Sequence, residues 1–180
     1  MNEEPGTHRM MGMPPKKRKP GHNVVVYDTE THGINGNLPV FGCAVDVETG
    51  ERGHFFDMGA LRSWIEARAP CTAYAHNGST FDISGILTIE ERYEAEKIAS
   101  GTKIFSLKHN GVDYRDTKHL FPMSLAQIAK SVGMEKGHTP DIFTKWDGTY
   151  EITEEDVTQE MIDYCYLDCD ILAEALRRFR

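Results

Sequence analysis

Three short segments near the start of the chain carry unbroken hydrophobic runs or alternate between hydrophobic and polar residues. Two stretches rich in turn-forming residues, GINGNLP and ETGERG, separate them. Segments of this length with such boundaries are typical of β-strands joined by tight connections. The pattern therefore predicts an antiparallel meander, with its strands in NVVVYDTE, VFGCAVDVE and RGHFFDM.

The rest of the chain mixes helical and strand patterns. Hydrophobic residues at helical spacing predict helices in LRSWIEARA, most of FDISGILTIEERYEAEKI, MSLAQIAKSVG and TEEDVTQEMIDYCYLDCDILAEALRRF. Gly133 is expected to end the third of these, and Thr153, with Asp156 in the capping-box position, to begin the last. CTAYAHN predicts a short strand, and KIFSLKHNGVDYRDT a hairpin that turns at His109-Asn110-Gly111. Residues 134–150 predict no regular element, and the whole order predicts an α/β fold with a mixed β-sheet flanked by helices.

The strand NVVVYDTE ends in two carboxylates on one face. Residues i and i+2 of a strand point the same way, so Asp28 and Glu30 share a side of the sheet. Two like charges at the end of a buried strand repel each other and lose hydration. We therefore expect a cation between them.

The terminal helix places a third carboxylate on its hydrophobic stripe. Asp168 shares that stripe with Met161, Tyr164, Cys165, Ile171, Leu172 and Ala175, whereas Glu160, Asp163, Asp170, Glu174 and Arg178 lie near the opposite side. A carboxylate on a buried face needs a partner. That partner is either a functional cation or, equally compatible with the pattern, a buried salt bridge or a loop to cap.

A fourth carboxylate, Asp82, ends the segment AHNGSTFD between a predicted strand and a predicted helix. Taken alone, it is equally well explained as a helix-start residue, and Asn77 as a turn residue. Together with Asp28, Glu30 and Asp168, it could hold two hard cations ~3.5–4 Å apart, the separation used for in-line attack on a phosphodiester.

Charge and composition limit the ways in which the chain can bind nucleic acid. The 180 residues are 39% hydrophobic, which is typical of one globular domain, and their net charge is −8. Residues 1–23 carry +3, which leaves −11 for the rest, so a basic phosphate-binding surface is not expected. An acidic body can still meet nucleic acid through divalent cations.

Residues 1–22 are rich in Met, Gly, Pro and Lys, and predict a flexible basic tail ahead of a domain at 23–180. Within the tail, PPKKRKP resembles a nuclear-import signal, but it also suits a phosphate-binding arm or a solvated linker. No secretory signal or membrane-length apolar run is present, and Cys43, Cys71, Cys165 and Cys169 form no CxxC pair. We expect reduced thiols in the cytoplasm of a bacterial or viral host cell, or in the nucleus if the tail is an import signal.

Three motifs, in this order, resemble those of the DEDD exonuclease superfamily, tyrosine subtype. YDTET supplies DxE, YAHNGSTFD supplies Nx₃FD, and YCYLDCDILAEAL supplies Yx₃D. The set is most similar to the 3′–5′ proofreading exonuclease domain of family B DNA polymerases, of the protein-primed kind found in phages, viruses and linear plasmids. DYRDTKHL and SLAQIAKSVG also resemble the segment between the last two motifs. The resemblance covers roughly residues 23–180 and implies an RNase H-like (DnaQ-like) fold.

The resemblance also implies residue roles. The four acids match the ligands of two Mg²⁺ or Mn²⁺ ions, and Tyr164 matches the tyrosine that orients the attacking water. Lys136 is the best match for a lysine that helps to stabilise the phosphate, with Lys145 in reserve. The residues expected to hold the unpaired 3′ end are Thr31, Tyr74, His76, Asn77 and Phe81, although a core histidine is an equal explanation for His76.

The activity implied is a metal-dependent 3′–5′ exonuclease that hydrolyses single-stranded DNA to nucleoside monophosphates. We expect a monomer without a membrane partner, either free-standing or the proofreading part of a split or excised polymerase, that degrades and does not synthesise. Two alternatives stay open: a 3′–5′ exoribonuclease, and a non-catalytic module that docks on a polymerase or on a nucleic-acid end.

Overall fold

Seven strands form one mixed sheet in the parts of the chain that the computed structural model describes, which are residues 23–31, 39–78, 82–101, 103–141 and 152–179. The strands are β1 Asn23–Thr31, β2 Pro39–Asp46, β3 Arg52–Phe55, β4 Cys71–Ala75, β5 Glu96–Ser100, β6 Lys103–His109 and β7 Val112–Asp116. The helices are α1 Met58–Glu66, α2 Asp82–Ile86, α3 Ile89–Glu94, α4 Leu125–Ser131 and α5 Gln159–Arg178.

The strand order across the sheet is β3-β2-β1-β4-β7-β6-β5. The three first strands form the predicted antiparallel meander. Strands β1, β4 and β7 run parallel to one another, so their carboxyl ends meet at one edge of the sheet. The predicted mixed α/β architecture is confirmed, and the shared edge is where the DxE and Nx₃FD motifs begin.

A hydrophobic core lies on each face of the sheet, because the central strand β1 is apolar on both sides. Val24 and Val26 pack in the core beneath α4 and α5. Val25 and Tyr27 pack in the core that includes residues of α1 and α2. The alternation continues past the valines, so that the two strand carboxylates fall on the α5 side.

The predicted hairpin is confirmed, with Asn110 and Gly111 at positive φ between β6 and β7. Gly133, at φ 75°, follows α4 as expected, and Met134 N–H bonds to the carbonyl of Ala129. All four cysteines are free.

Two secondary-structure predictions were wrong in part. The end of FDISGILTIEERYEAEKI forms the edge strand β5, because Glu96–Ser100 pairs with β6 and tertiary pairing overrides its helical spacing. The last helix starts at Gln159, with Thr158 as N-cap; Thr153 instead begins a 3₁₀ turn, in which its N–H donates to Asp156 Oδ2 at 2.9 Å. The predicted tail, Phe81 and Lys145 lie outside the described residues.

In the described part of the chain, none of the helices combines the length and the apolar character needed to cross a bilayer.

Candidate active site

Two carboxylates stand at the carboxyl end of β1, below α5. Asp28 and Glu30 continue the face on which Val24 and Val26 are buried, so both side chains are half-buried beside the helix. The register with β2 shifts between Glu30 and Thr31, which marks the point where regular pairing ends. The sheet therefore delivers two acids to the rim of the core.

Helix α5 delivers the third acid. Asp168 lies on the predicted hydrophobic stripe and is only 6% exposed. Its Oδ2 accepts a hydrogen bond from Lys136 Nζ at 2.5 Å. Its Oδ1 is buried and has no hydrogen-bond partner among the described residues. One half of this buried carboxylate is thus paired with a cation, and the other half is unsatisfied.

Asp82 approaches from the opposite layer, as the first residue of α2. It is 4% exposed, and its Oδ1 accepts hydrogen bonds from Thr29 N at 2.9 Å and Thr29 Oγ1 at 2.7 Å. Thr29 lies between the two strand acids and points to the other face of β1. These two bonds tie Asp82 to the strand that carries Asp28 and Glu30.

Burial and neighbouring charges raise the pKa values of the clustered acids. Burial raises the pKa of Asp28 well above its ordinary value, and repulsion from Glu30, Asp82 and Asp168 raises it further. Burial, followed by repulsion from Asp168, raises the pKa of Glu30 to about 8. For Asp82, burial outweighs the two bonds from the neighbouring threonine, and its pKa rises to about 6. The charges of Asp82 and Asp168 thus act on both strand acids, so the four predicted acids lie near one another.

Lys136 joins this cluster from the loop after α4. Besides its contact with Asp168, its Nζ donates to Tyr164 Oη at 2.6 Å. Thr139 Oγ1 lies 2.9 Å from the same hydroxyl. The loop approaches α5 closely because Gly137 has no side chain: a Cβ there would lie 3.3 Å from Tyr164 Cδ2. Both predicted residues thus lie at the acids, in fixed relation to each other.

The residues predicted to hold a nucleic-acid end line the same edge, after β4. Tyr74 is half-buried against the α5-side core. His76 Nδ1 lies 3.0 Å from Thr117 Oγ1, and burial lowers the pKa of His76. Asn77 adopts a positive φ of 64°, and its side-chain Oδ1 accepts from Lys118 Nζ at 3.3 Å.

Thr31, the remaining described member of that set, is the last residue of β1. Their shared edge is compatible with the predicted role, which stays a prediction.

Sequence reasoning missed four residues that support this cluster. Asp116, buried at the end of β7, accepts a hydrogen bond from the Asn77 backbone N–H at 2.9 Å and so holds the positive-φ turn. Thr29 holds Asp82, Thr139 contacts Tyr164, and Cys165 lies against Asp28. Thr29 and Asp116 gave a weak signal, since they lie in the segments YDTET and DYRDTKHL. Thr139 gave none, and Cys165 was noted only as a residue of the hydrophobic stripe and a reduced thiol.

The donor set fits hard divalent cations. Carboxylate oxygens are the ligands that Mg²⁺ and Mn²⁺ prefer. Burial and then repulsion raise the pKa values of Asp28 and Glu30, and Asp168 Oδ1 is an acceptor without a hydrogen-bond partner among the described residues. The four acids are therefore suitable ligands for such ions.

The solved structures that the chain resembles include DNA polymerases. The chain superimposes on phi29 DNA polymerase complexed with single-stranded DNA with a TM-score of 0.71 and 16% sequence identity, over 87% of this chain and 31% of the polymerase. For a phi29 ternary complex with primer-template DNA and incoming nucleotides, the TM-score is 0.70 and the sequence identity 17%. The match covers 87% of this chain and 31% of the polymerase. For the family B DNA polymerase from the hyperthermophilic archaeon Pyrobaculum calidifontis, the TM-score is 0.61 and the sequence identity 15%. The match covers 89% of this chain and 25% of that polymerase.

These likenesses confirm the predicted fold, a mixed α/β sheet flanked by helices that the chain shares with part of these polymerases. The chain spans 31% of the phi29 polymerase and 25% of the Pyrobaculum polymerase. No protein-family model matches it. No curated protein matches it either.

Proposed function

We propose that this chain is a divalent-metal-dependent 3′–5′ exonuclease that shortens single-stranded DNA from its 3′ end. The observation that carries the proposal is the convergence of four carboxylates from β1, α2 and α5, together with Tyr164 and Lys136, on this fold. In a purely structural cluster each acid would be expected to have its own partner, whereas burial and the neighbouring acids raise the pKa values of Asp28 and Glu30, and Asp168 Oδ1 has no hydrogen-bond partner among the described residues.

The four acids, Asp28, Glu30, Asp82 and Asp168, would hold two Mg²⁺ or Mn²⁺ ions. Ions held in this way lower the pKa of a bound water and stabilise charge on a leaving 3′ oxygen. Thr29 restrains Asp82 through two hydrogen bonds, so at least one acid is positioned before any ion binds.

Tyr164 and Lys136 supply the chemistry of the chain itself. The Tyr164 hydroxyl accepts from Lys136 Nζ, which directs its own hydrogen towards other acceptors. Burial raises its pKa, so the hydroxyl stays protonated and able to orient a water molecule. Lys136 lies beside Asp168. If a metal ion bound Asp168 instead, the Lys136 ammonium group would be free to contact a phosphate oxygen and stabilise its negative charge.

The edge after β4 suits a strand that is gripped without reading its sequence. Tyr74 offers an aromatic ring, Asn77 an amide and Thr31 a hydroxyl. Stacking and backbone contacts of this type tolerate any base. Single-stranded DNA accompanies one of the phi29 polymerase structures that share the fold, which supports the same substrate class here.

The test is a cleavage assay with 5′-labelled single-stranded DNA and RNA of the same sequence, in Mg²⁺ and in EDTA. The Asp28→Ala/Glu30→Ala protein, purified identically, is the control. We expect a Mg²⁺-dependent ladder that shortens from the 3′ end of DNA and is absent from the double variant. No shortening of either polymer by the folded wild type would overturn the proposal and favour a docking module. Faster cleavage of RNA would reassign the substrate through contacts to the 2′-hydroxyl.

A further inference from the structure

An arginine lies beside one of the residues that are predicted to hold the nucleic-acid strand. Tyr74 on β4 and Arg115 on β7 are partners in the register of these parallel strands. Arg115 alternates with Tyr114, which is buried in the core on the other face, so its side chain lies on the α5 side of the sheet, as that of Tyr74 does. Helix α5 packs over β1 and β2, and the Arg115 side chain beyond them is 43% exposed. An open, positively charged position thus adjoins the predicted strand site.

The sheet also fixes how far this arginine lies from the acids. Val26 of β1 is the register partner of Tyr74, so Val26, Tyr74 and Arg115 form one row across three parallel strands. Asp28 lies two residues further along β1, on the same face. With strands about 4.8 Å apart and about 3.3 Å per residue, the Arg115 backbone lies ~12 Å from that of Asp28. A strand whose 3′ end lies at the acids can therefore reach Arg115 within a few nucleotides.

The Arg115 guanidinium is held in place by a polar network. Its Nε and Nη2 donate to Asp113 Oδ2 at 2.9 and 2.7 Å. The other oxygen of this carboxylate, Oδ1, accepts a hydrogen bond from the buried Ser106 Oγ at 2.5 Å. The hydrogen bond with Asp113 raises the pKa of Arg115, and Tyr74 acts in the same direction. The network thus orients a permanent positive charge next to the Tyr74 ring.

One fork of the guanidinium is left for a ligand. Asp113 takes the fork formed by Nε and Nη2. A guanidinium has a second fork, formed by Nη1 and the other hydrogen of Nη2. A fork of this kind matches two oxygens of one phosphate group. Arg115 can therefore bind a phosphate and keep its bonds to Asp113.

The segment from the end of β7 to the catalytic lysine candidate is basic, unlike the rest of the domain. Residues 115–136 carry four lysines and arginines against two acids, whereas the net charge of residues 24–180 is −11. Two of these cations contact site residues: Lys118 Nζ donates to Asn77 Oδ1 at 3.3 Å, and Lys136 Nζ donates to Asp168 Oδ2 at 2.5 Å. A polyanionic strand that approaches an acidic cluster is expected to follow such positive side chains.

We propose that Arg115 binds a phosphate of the single strand close to its 3′ end. The inference rests on the proposed function for the identity of the strand, which is DNA. It adds a charged contact to the stacking and amide contacts expected of Tyr74 and Asn77. Phosphate contacts position a strand without reading its sequence, so this contact would strengthen the grip on any 3′ end.

The experiment measures the binding of fluorescein-labelled single-stranded DNA to the full chain by anisotropy, in EDTA and at several salt concentrations. Arg115→Gln is compared with Arg52→Gln, which removes the same charge from the edge strand β3. Arg52 is a matched control because it is 48% exposed and pairs with Asp170 at 2.7 Å.

We expect Kd to rise about 10-fold in Arg115→Gln, the size of effect that follows from losing a hydrogen bond between charged groups. Arg52→Gln should change Kd by less than about 2-fold, since screening weakens a distant surface charge. The slope of log K against log salt should become shallower by about 0.7 in Arg115→Gln, as for one lost phosphate contact on a single strand. Arg115→Lys keeps the charge and should keep the wild-type slope.

Equal Kd values and slopes for Arg115→Gln and Arg52→Gln would overturn the proposal, as would a wild type that binds no strand. If Arg115→Gln does not fold, by circular dichroism, chemical modification of the wild type decides. Phenylglyoxal should label Arg115 less when the strand is bound and Arg52 equally in both states, by mass spectrometry; equal labelling of Arg115 would refute the contact.

The readout uses no hydrolysis, so it separates this contact from the activity. Weaker binding by Arg115→Gln beside an inactive wild type would support the contact and refute only the nuclease. An active wild type with unchanged binding by Arg115→Gln would refute only the contact.

Discussion

The β1–β2 ladder carries an aspartate near each of its ends, and the two have opposite surroundings. Asp46 is buried, and its Oδ1 accepts backbone N–H bonds from Glu48 at 2.9 Å and Thr49 at 3.0 Å. Its Oδ2 lies 3.4 Å from Arg68 Nε. Asp28, at the other end, has three acids around it and a thiol as a side-chain donor.

The difference separates a structural acid from a candidate ligand. The charge of Asp46 is distributed over two backbone donors and a guanidinium, and this satisfies the turn after β2. A thiol is a weak donor and cannot do the same for Asp28. The repulsion at Asp28 destabilises its ionised form, and a bound cation would relieve it. Asp46 and Asp28, two aspartates of one strand pair, are therefore expected to have different roles.

The largest expected effect is on the rate of hydrolysis, when the acids at the Asp28 end of the ladder are removed. Asp28→Ala with Glu30→Ala should lower the rate of single-stranded DNA hydrolysis by at least ~1,000-fold, because removed ligands forfeit several kcal/mol of charge stabilisation. Binding of the strand, measured by fluorescence anisotropy in EDTA, should stay largely intact. Single-turnover rates of the purified proteins decide the matter, and hydrolysis at the wild-type rate by the double variant would remove these acids from catalysis.

The complementary change removes Asp46, at the other end of the ladder, and affects stability. Asp46→Ala leaves two backbone donors without their acceptor and removes the carboxylate that lies 3.4 Å from Arg68 Nε, and it should lower the free energy of unfolding by ~2–4 kcal/mol. Asp170→Ala is the control: it opens the exposed pair with Arg52 and should cost ~0.5 kcal/mol or less.

Urea unfolding of the three proteins measures both effects. Under conditions where each is folded, Asp46→Ala should cleave at the wild-type rate. Equal stabilities for the two variants would contradict the contrast drawn above.

A smaller effect sharpens the description of the site. Tyr164→Phe keeps the ring and removes the hydroxyl that contacts Lys136 and Thr139. We expect hydrolysis to slow by ~10–100-fold, less than for Asp168→Ala, since loss of an orienting group costs less than loss of a ligand. The comparison is of kcat at saturating Mg²⁺. A wild-type kcat for Tyr164→Phe would exclude a water-orienting role.

Local pattern was sufficient to place the strand and helix acids. The period of two in β1 put Asp28 and Glu30 on one face, and the period of α5 put Asp168 on its buried stripe. The meander, the hairpin and the mixed sheet also followed from turn residues and alternation. These features depend on neighbours in sequence, which a single chain reveals.

What could not be predicted depends on contacts between distant segments. Asp116 bonds across 39 residues to the turn at Asn77, and Lys136 bonds across 32 residues to Asp168. Strand β5 is exposed on every residue and is held by pairing with β6, so its helical spacing misled. Periodicity carries no signal for which distant partner a polar side chain will meet.

A last prediction tests the burial of Glu30 and the repulsion around it, through pH. Glu30, with its pKa raised from 4.5 to about 8, adds stability below its unfolded pKa and loses it as pH rises through the folded value, so metal-free protein should melt at lower temperature at pH 8 than at pH 6. Mg²⁺ prefers the ionised acids; at ~100 times its Kd it should raise Tm by ~5–10 °C at pH 8 and by less at pH 6. Differential scanning fluorimetry in EDTA and in Mg²⁺ measures both slopes. Glu30→Gln should flatten each of them, whereas a wild-type slope in that variant would place the repulsion elsewhere.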